Sequence, residues 1–216
     1  MFKQLLSVFL ESQCPCCQKT TAHTFCKYCF NKLSSHQLKQ PDRTGWWGET
    51  PVFAWGRYDG QLKRAIALMK YDNHPEIGIM LGKLLAKTWL ASNLAKFTKI
   101  SVIPIPLHHH KMKERSFNQA EKIALGFCQL TGYSLSSQAL IRVKKTQAMF
   151  DLSPEERIKN LQGAFRLGKK PPQHPVLLLD DIYTMGTTIK ESAKILRRNQ
   201  IKVIGSVVVA KTSSYN

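Results

Sequence analysis

Two short stretches concentrate the side chains that could do chemistry. The first is VLLLDDIYTMGTT, Val176 to Thr188, where an apolar run leads into two adjacent aspartates and a loop of small and hydroxyl residues. The apolar run predicts a buried strand, and TTIKESAKILRRNQ predicts a helix behind the loop. Thr184, Met185, Gly186, Thr187 and Thr188 would then stand at a helix N-terminus, where unpaired backbone N–H groups and the helix dipole attract phosphate. Gly186 lets the backbone approach that anion. Asp180 and Asp181 cannot serve the same phosphate, because like charges repel. They suit neutral hydroxyls, as acceptors for a sugar diol. The stretch therefore predicts a sugar-phosphate site, with the diol on the two aspartates and the phosphate on residues 184–188. A nucleotide-binding P-loop, which needs Gly, four residues and then Gly-Lys-Ser/Thr, is absent from the sequence.

The second stretch is a cysteine cluster. CPCC and CKYC supply two C-x-x-C pairs, Cys14 with Cys17 and Cys26 with Cys29. Two thiolates at this spacing chelate one ion from a tight turn, and two such pairs complete a tetrahedron. Zn²⁺ suits four soft ligands without redox activity. Cys16 is the spare, because its use would make two ligands adjacent. Four protein ligands leave no open position, so the metal would be structural. Disulfides are the alternative, and the lack of a secretion signal favours reduced thiols. His23 and His36 read as surface residues, and Cys128 as core.

Alternating elements must position these groups. PVFAWGRY predicts a strand and GQLKRAIALMKY a helix, with Leu62, Ala65, Ile66 and Met69 on one face and Lys63, Arg64 and Lys70 opposite. IGIMLGKLLAKTWLASNL predicts a second helix and ISVIPIP a buried strand cut off by prolines. SFNQAEKIALGFCQLTG predicts a helix with Ser116 as N-cap and Gly132 as its stop. HPVLLLDD and KVIGSVVVAK predict further strands. Strands alternating with helices imply an α/β domain with a mainly parallel sheet, whose ligands bind beyond the carboxyl ends of the strands. Residues 1–50 are expected to hold the zinc knuckle and a linker, and residues 51–216 the main domain. Trp46 and Trp47 in the linker are either a base-stacking platform or a packing contact, and packing is favoured.

The chain carries 32 Lys+Arg against 14 Asp+Glu, a net charge of +18, spread along its whole length. Such a surface attracts polyanions, whether phosphate esters or nucleic acid. No clear helix-turn-helix or basic-region heptad supports sequence-specific readout. With 43% hydrophobic residues, global disorder is excluded. The apolar run LLSVFL is far shorter than the ~20 residues of a membrane span and precedes no cleavage site. The expected location is the cytoplasm, with a peripheral place at the inner membrane left open.

The stretch VLLLDDIYTMGTT resembles the phosphoribosyl-pyrophosphate (PRPP) motif of type I phosphoribosyltransferases. With the cysteine knuckles, YDGQLKRAIALMKY, IPIPLHHHKMKERSFNQAE and TQAMFDLSPEERIKNLQGAF, the chain resembles the ComF family of competence and DNA-uptake proteins over nearly its whole length. The resemblance implies a type I phosphoribosyltransferase fold behind a four-cysteine zinc knuckle. It implies PRPP with Mg²⁺ as ligand and transfer of a pentosyl group, with Asp180 and Asp181 as the catalytic pair. Pyrophosphate would lie against Pro104, Ile105, Pro106 and Leu107. A closing loop from Arg142 to Asn160 would bring Arg142, Lys144, Thr146, Leu152, Ser153, Arg157 and Asn160. Arg115 and Asn118, with Gln119 beside them, match a further family segment. Ser116, Met149 and Met185 depart from the family pattern. The implied partners are single-stranded DNA and DNA-uptake helicase or channel proteins. Three roles follow: an active phosphoribosyltransferase on a nucleobase-like acceptor, a single-strand binder that senses or uses a ribose phosphate, and an adaptor docking through the knuckle.

Overall fold

A computed structural model describes residues 12–41, 45–96, 99–144 and 154–212, with residues 154, 155, 157 and 158 described by backbone alone. The elements in chain order are β1 (Ser12–Gln13), β2 (Thr20–Thr21), α1 (Lys27–Ser34), β3 (Val52–Arg57), α2 (Gly60–Tyr71), α3 (Pro75–Leu90), β4 (Ser101–Pro104), α4 (His109–Arg115), α5 (Gln119–Thr131), β5 (Ser134–Leu135), β6 (Leu140–Arg142), α6 (Pro154–Leu161), β7 (Phe165–Leu167), β8 (Val176–Tyr183), α7 (Thr187–Arg198) and β9 (Val203–Lys211). Five strands form one sheet in the order β3-β9-β8-β4-β5, and every pairing in it is parallel. β1–β2 and β6–β7 are separate antiparallel pairs. The chain thus adopts the expected α/β class, with the four cysteines in front of it.

Successive side chains point to opposite faces, and burial of both faces explains why residues 176–179 of β8 are apolar without alternation. Leu177 and Leu179 pack with Ile66, Met69, Leu85 and Phe127 of α2, α3 and α5. Val176 and Leu178 pack with Ile189, Ala193 and Leu196 of α7 on the other face. Each of these side chains larger than alanine contributes about 1.5–3 kcal/mol when fully buried. Helices α3 and α5 meet backbone to backbone. A Cβ at Gly82 would lie 2.0 Å from the Ile123 carbonyl oxygen, and one at Gly126 would lie 2.1 Å from that of Ile79.

The segment between β4 and β5 differs from the expected single helix. α4 ends at Arg115, and Ser116 takes the left-handed conformation (φ 62°) as its C-cap. Asn118 caps α5 instead, its side chain accepting from the Ala120 N–H at 3.1 Å. Asparagine is as strong an N-cap as serine. Ser116 is already committed to reversing the chain. Gly132 ends α5 with φ 72°, as expected.

The cysteine module lies against the sheet's helices. Cys14, Cys16, Phe25, Cys29 and Leu33 share a core cluster with Leu62 and Ile66. His36, expected at the surface, is half-buried, and its Nε2 accepts from the Gln61 N–H at 3.2 Å at the start of α2. The two linker tryptophans separate. Trp46 packs edge-on against Trp89 with ring centroids 5.4 Å apart, whereas Trp47 is 66% exposed. Packing therefore accounts for Trp46 alone. Among the described residues no helix is long and apolar enough to cross a membrane.

Candidate functional site

β4 connects outward to β5, whereas β8, on the other side of β4, leads to β9. Connections diverge between β4 and β8, and parallel sheets leave a crevice at such a point. The prolines stop β4 at Pro104, level with Leu179, and the Ile105 N–H closes the ladder on the Leu179 carbonyl at 2.8 Å. β8 continues to Tyr183 along β9. Asp180 and Asp181 therefore lie inside their strand but beyond the end of its neighbour. They open into a cleft of about 440 Å³.

Adjacent strand residues point to opposite faces. Asp181 faces the α2 layer, where the Lys70 ammonium lies 2.5 Å from its carboxylate, with side chains 16% and 12% exposed. Asp180 accepts from the Asp181 N–H at 2.9 Å. Burial, reinforced by the Asp181 charge, pushes the Asp180 carboxyl up to about 8, against the pull of that N–H and Lys70. Burial thus favours the protonated form of Asp180, which can donate to a hydroxyl as well as accept from one. Burial alone would lower Lys70, but the charge and hydrogen bond of Asp181, with the Asp180 charge added, together outweigh it and raise it. Lys70 thus departs from the solvent-facing side of α2 that periodicity predicts for it. It stands four residues after Ile66, at the rim of the apolar face, and follows that face inward.

The loop behind the acids ends in Gly186, whose φ of 71° makes it the N-cap of α7. A Cβ there would lie 2.3 Å from the Tyr183 phenol oxygen, so with this φ any larger residue is strained and must displace the Tyr183 ring. Among the described residues no side chain caps this helix. Its first backbone bond runs from the Lys190 N–H to the Gly186 carbonyl at 2.9 Å, so the amides of 187–189 precede the helical ladder. Thr184, Gly186, Thr187 and Thr188 line the cleft. Met185 is 42% exposed and lies outside that lining.

The opposite wall is cationic. Ile105, Pro106 and Leu107 follow β4, and the Asn118 amide donates to the Ile105 carbonyl at 3.0 Å, tying this loop to α5. Lys111 and Arg115 project from α4, four residues apart on one face, and Arg142 comes from the end of β6. Arg115 lies over the Tyr71 ring at 5.2 Å, and Arg142 over Phe165 at 5.5 Å. Burial lowers Lys111, and the charges of Arg115 and Arg142 push it the same way. Burial also lowers Arg142, with Asp180 opposing. A bound polyanion would relieve both. Lys144 is exposed and donates to the Lys159 carbonyl at 3.4 Å, outside the cleft lining. Thr146, Met149, Leu152, Ser153 and the Arg157 side chain lie outside the described residues. Asn160 is half-buried at the end of α6.

Sequence reasoning missed Tyr58, Tyr71 and Lys111, which also line the cleft, and turned Lys70 outward. Gln119, noted only as a neighbour of Asn118, is 2% exposed, and its amide nitrogen has no partner among the described residues.

The Sγ atoms of Cys14, Cys17, Cys26 and Cys29 all lie within 4.8 Å of one another, and those of Cys17 and Cys26 are 3.5 Å apart. A tetrahedral ion with bonds of ~2.3 Å sets its sulfurs ~3.8 Å apart. The donor set fits a metal. Burial opposes ionisation of Cys14, but the N–H groups of Cys26, Cys16 and Cys17 outweigh it and bring the thiol down to about 7. The spare, Cys16, is buried and pushed up to about 11. Cys128, half-buried rather than fully core, is pushed up to about 12 by burial.

No family model matches the chain. Competence protein F of Haemophilus influenzae is 30% identical over 214 residues, covering 92% of this chain and 90% of that protein. Competence protein ComFC of Streptococcus pneumoniae is 28% identical over 187 residues, covering 86% of this chain and 74% of that one. DNA utilization protein YhgH of Salmonella typhimurium is 28% identical over 144 residues, 66% of this chain and 63% of its own length. The first of these similarities covers most of the chain and most of its relative, and the chain belongs to the ComF family.

Proposed function

We propose that this protein binds PRPP, or a related ribose 5-phosphate, in the cleft between β4 and β8, and that it acts in the uptake of DNA. One observation carries the reading. A single cleft joins the acid pair, an uncapped helix N-terminus with its threonines, and the cations Lys111, Arg115 and Arg142. The 5-phosphate would take the amides and hydroxyls of residues 184–188. The ribose diol would share Asp180 and Asp181, displacing or sharing Lys70. Pyrophosphate, entering with Mg²⁺ as part of the substrate, would lie along Pro106, Leu107 and the cationic wall. In transfer, the C1–O bond breaks, its electron pair leaves with pyrophosphate, and an acceptor attacks C1. The Asp181 charge then lies near the developing cation.

The names of the relatives, competence and DNA utilization, support the DNA-uptake role. The +18 charge supports contact with single-stranded DNA. We assign Zn²⁺ to Cys14, Cys17, Cys26 and Cys29, where it would supply on the order of 10 kcal/mol of folding energy. Residues 1–50 would then be a knuckle and linker accessory to a phosphoribosyltransferase-like unit, residues 51–216. A second reading, transfer to a nucleobase-like acceptor, is favoured by Tyr71, 72% exposed, and by the buried Gln119 amide in the same cleft, which has no partner among the described residues. Pyrophosphate release on supplying bases would support it. The first reading is tested by calorimetry with PRPP and Mg²⁺. Wild type should bind, and Asp180→Asn/Asp181→Asn should bind at least about 10-fold more weakly. No heat with wild type would overturn it.

A further inference from the structure

A second groove, of about 880 Å³, lies on the other side of Tyr183, which lines both it and the acid cleft. One wall is α7, where Lys190, Lys194 and Arg198 recur every four residues and are all exposed. That spacing aligns them on one helix face, each about 6 Å further along the axis. Lys211, over the Tyr183 ring at 5.9 Å, closes one end. The other wall is the linker that carries Trp47.

This linker is held in place. Arg197 donates to the Glu49 carbonyl at 2.6 Å, to the Glu49 carboxylate at 3.2 Å and to the Thr50 hydroxyl at 3.0 Å. Trp46 is anchored against Trp89. Its neighbour Trp47 is thereby displayed at the groove with 66% of its surface exposed. Of the two carboxylates in the lining, Glu49 is engaged by Arg197, leaving Glu191 against the cationic row. An exposed indole on a tethered linker beside a row of cations is an arrangement that can stack unpaired bases while following a phosphate backbone.

We propose that this groove is a track for single-stranded DNA, in which Trp47 stacks on bases and Lys190, Lys194 and Arg198 contact successive phosphates. The proposal rests on the reading that this protein contacts DNA, and it locates that contact. Because Tyr183 is shared, a strand in the track would pass beside the ribose-phosphate cleft.

The test is fluorescence anisotropy with a labelled oligothymidylate across a salt series, using the full chain. Trp47→Ala should weaken binding about 5- to 150-fold, the range of one lost base stack. Lys194→Gln/Arg198→Gln should flatten the slope of log K against log salt by about 1.4, or ~0.7 per phosphate contact. Lys83→Gln/Lys87→Gln, an equal charge change on exposed positions of α3, should leave that slope unchanged. Melting temperatures confirm folding of each variant. Groove variants that behave like the α3 control would overturn the track and leave DNA contact standing. Duplex competing as well as single strand would also overturn it, since stacking needs unpaired bases. No binding by wild type would overturn both the track and DNA contact, while PRPP calorimetry tests the ribose site separately.

Discussion

Replacing Lys70 by methionine isolates the contact that sequence reasoning turned outward. Lys70 and Asp181 meet at 2.5 Å with side chains only 16% and 12% exposed. Methionine keeps most of the stem packing and removes only the charge. Breaking a buried pair by deleting one partner costs about 3–5 kcal/mol, because the remaining charge is left uncompensated. The cleft admits water to one edge of Asp181, so we expect the lower end, about 3 kcal/mol. For a chain of this size that corresponds to a fall of roughly 6–12 °C in Tm. Lys70→Met/Asp181→Asn leaves no orphan charge and should recover most of the loss. Urea denaturation of wild type, both single variants and the double variant gives the coupling energy, expected to be at least about 1.5 kcal/mol. Additive single effects, each below about 0.5 kcal/mol, would refute the claim that Lys70 is the counter-ion of the acid pair.

Asp180 should leave a pH signature. Its carboxyl is raised from 3.8 to about 8, so the folded state holds a proton that the unfolded chain releases above pH ~4. The penalty for burying the ionised carboxyl is absent below that pH and grows as pH climbs to about 8. Wild-type stability relative to Asp180→Asn should fall by about 1.4 kcal/mol per pH unit across this window, and parallel denaturation profiles would contradict it. Gly186→Ala should lose ribose 5-phosphate binding by at least about 10-fold, because the new Cβ meets Tyr183 and reshapes the phosphate loop; calorimetry reads this directly. Gly82→Ala should destabilise by about 3 kcal/mol or more in urea, since its Cβ collides with the Ile123 carbonyl across α3 and α5. Metal analysis should find about one zinc per chain, and chelation or Cys14→Ser should lower Tm; a metal-free chain of unchanged Tm would remove the structural-zinc assignment.

The elements were legible wherever one local signal dominated. β8 announced itself by four apolar residues, α2 by its periodic face, and the cysteine pairs by their spacing. What failed locally was decided by tertiary demand. Ser116 resembles an N-cap in sequence, yet the chain reverses there and Asn118 takes the cap, because its amide also holds the Ile105 carbonyl. Lys70 sits on the margin of an apolar face, and only the approach of Asp181 decides which way it turns. Trp46 and Trp47 share one local sequence signal, but packing on Trp89 selects one of them and leaves the other exposed. The cationic wall gathers Lys111, Arg115 and Arg142 from α4 and β6, which are remote in sequence; the family resemblance pointed to Arg115 and Arg142, but a charge spread along the whole chain gave no hint of Lys111.

The central claim is that Asp180 and Asp181 hold a ribose diol while residues 184–188 hold its phosphate. Calorimetric comparison of ribose 5-phosphate with 2-deoxyribose 5-phosphate tests it most directly, because the two differ by one hydroxyl. Loss of a hydrogen bond to a charged group is worth about 1.5–3 kcal/mol, so the deoxy sugar should bind roughly 10- to 150-fold more weakly. That gap should close in Asp180→Asn/Asp181→Asn. Equal affinity for the two sugars in the wild-type protein would contradict the account.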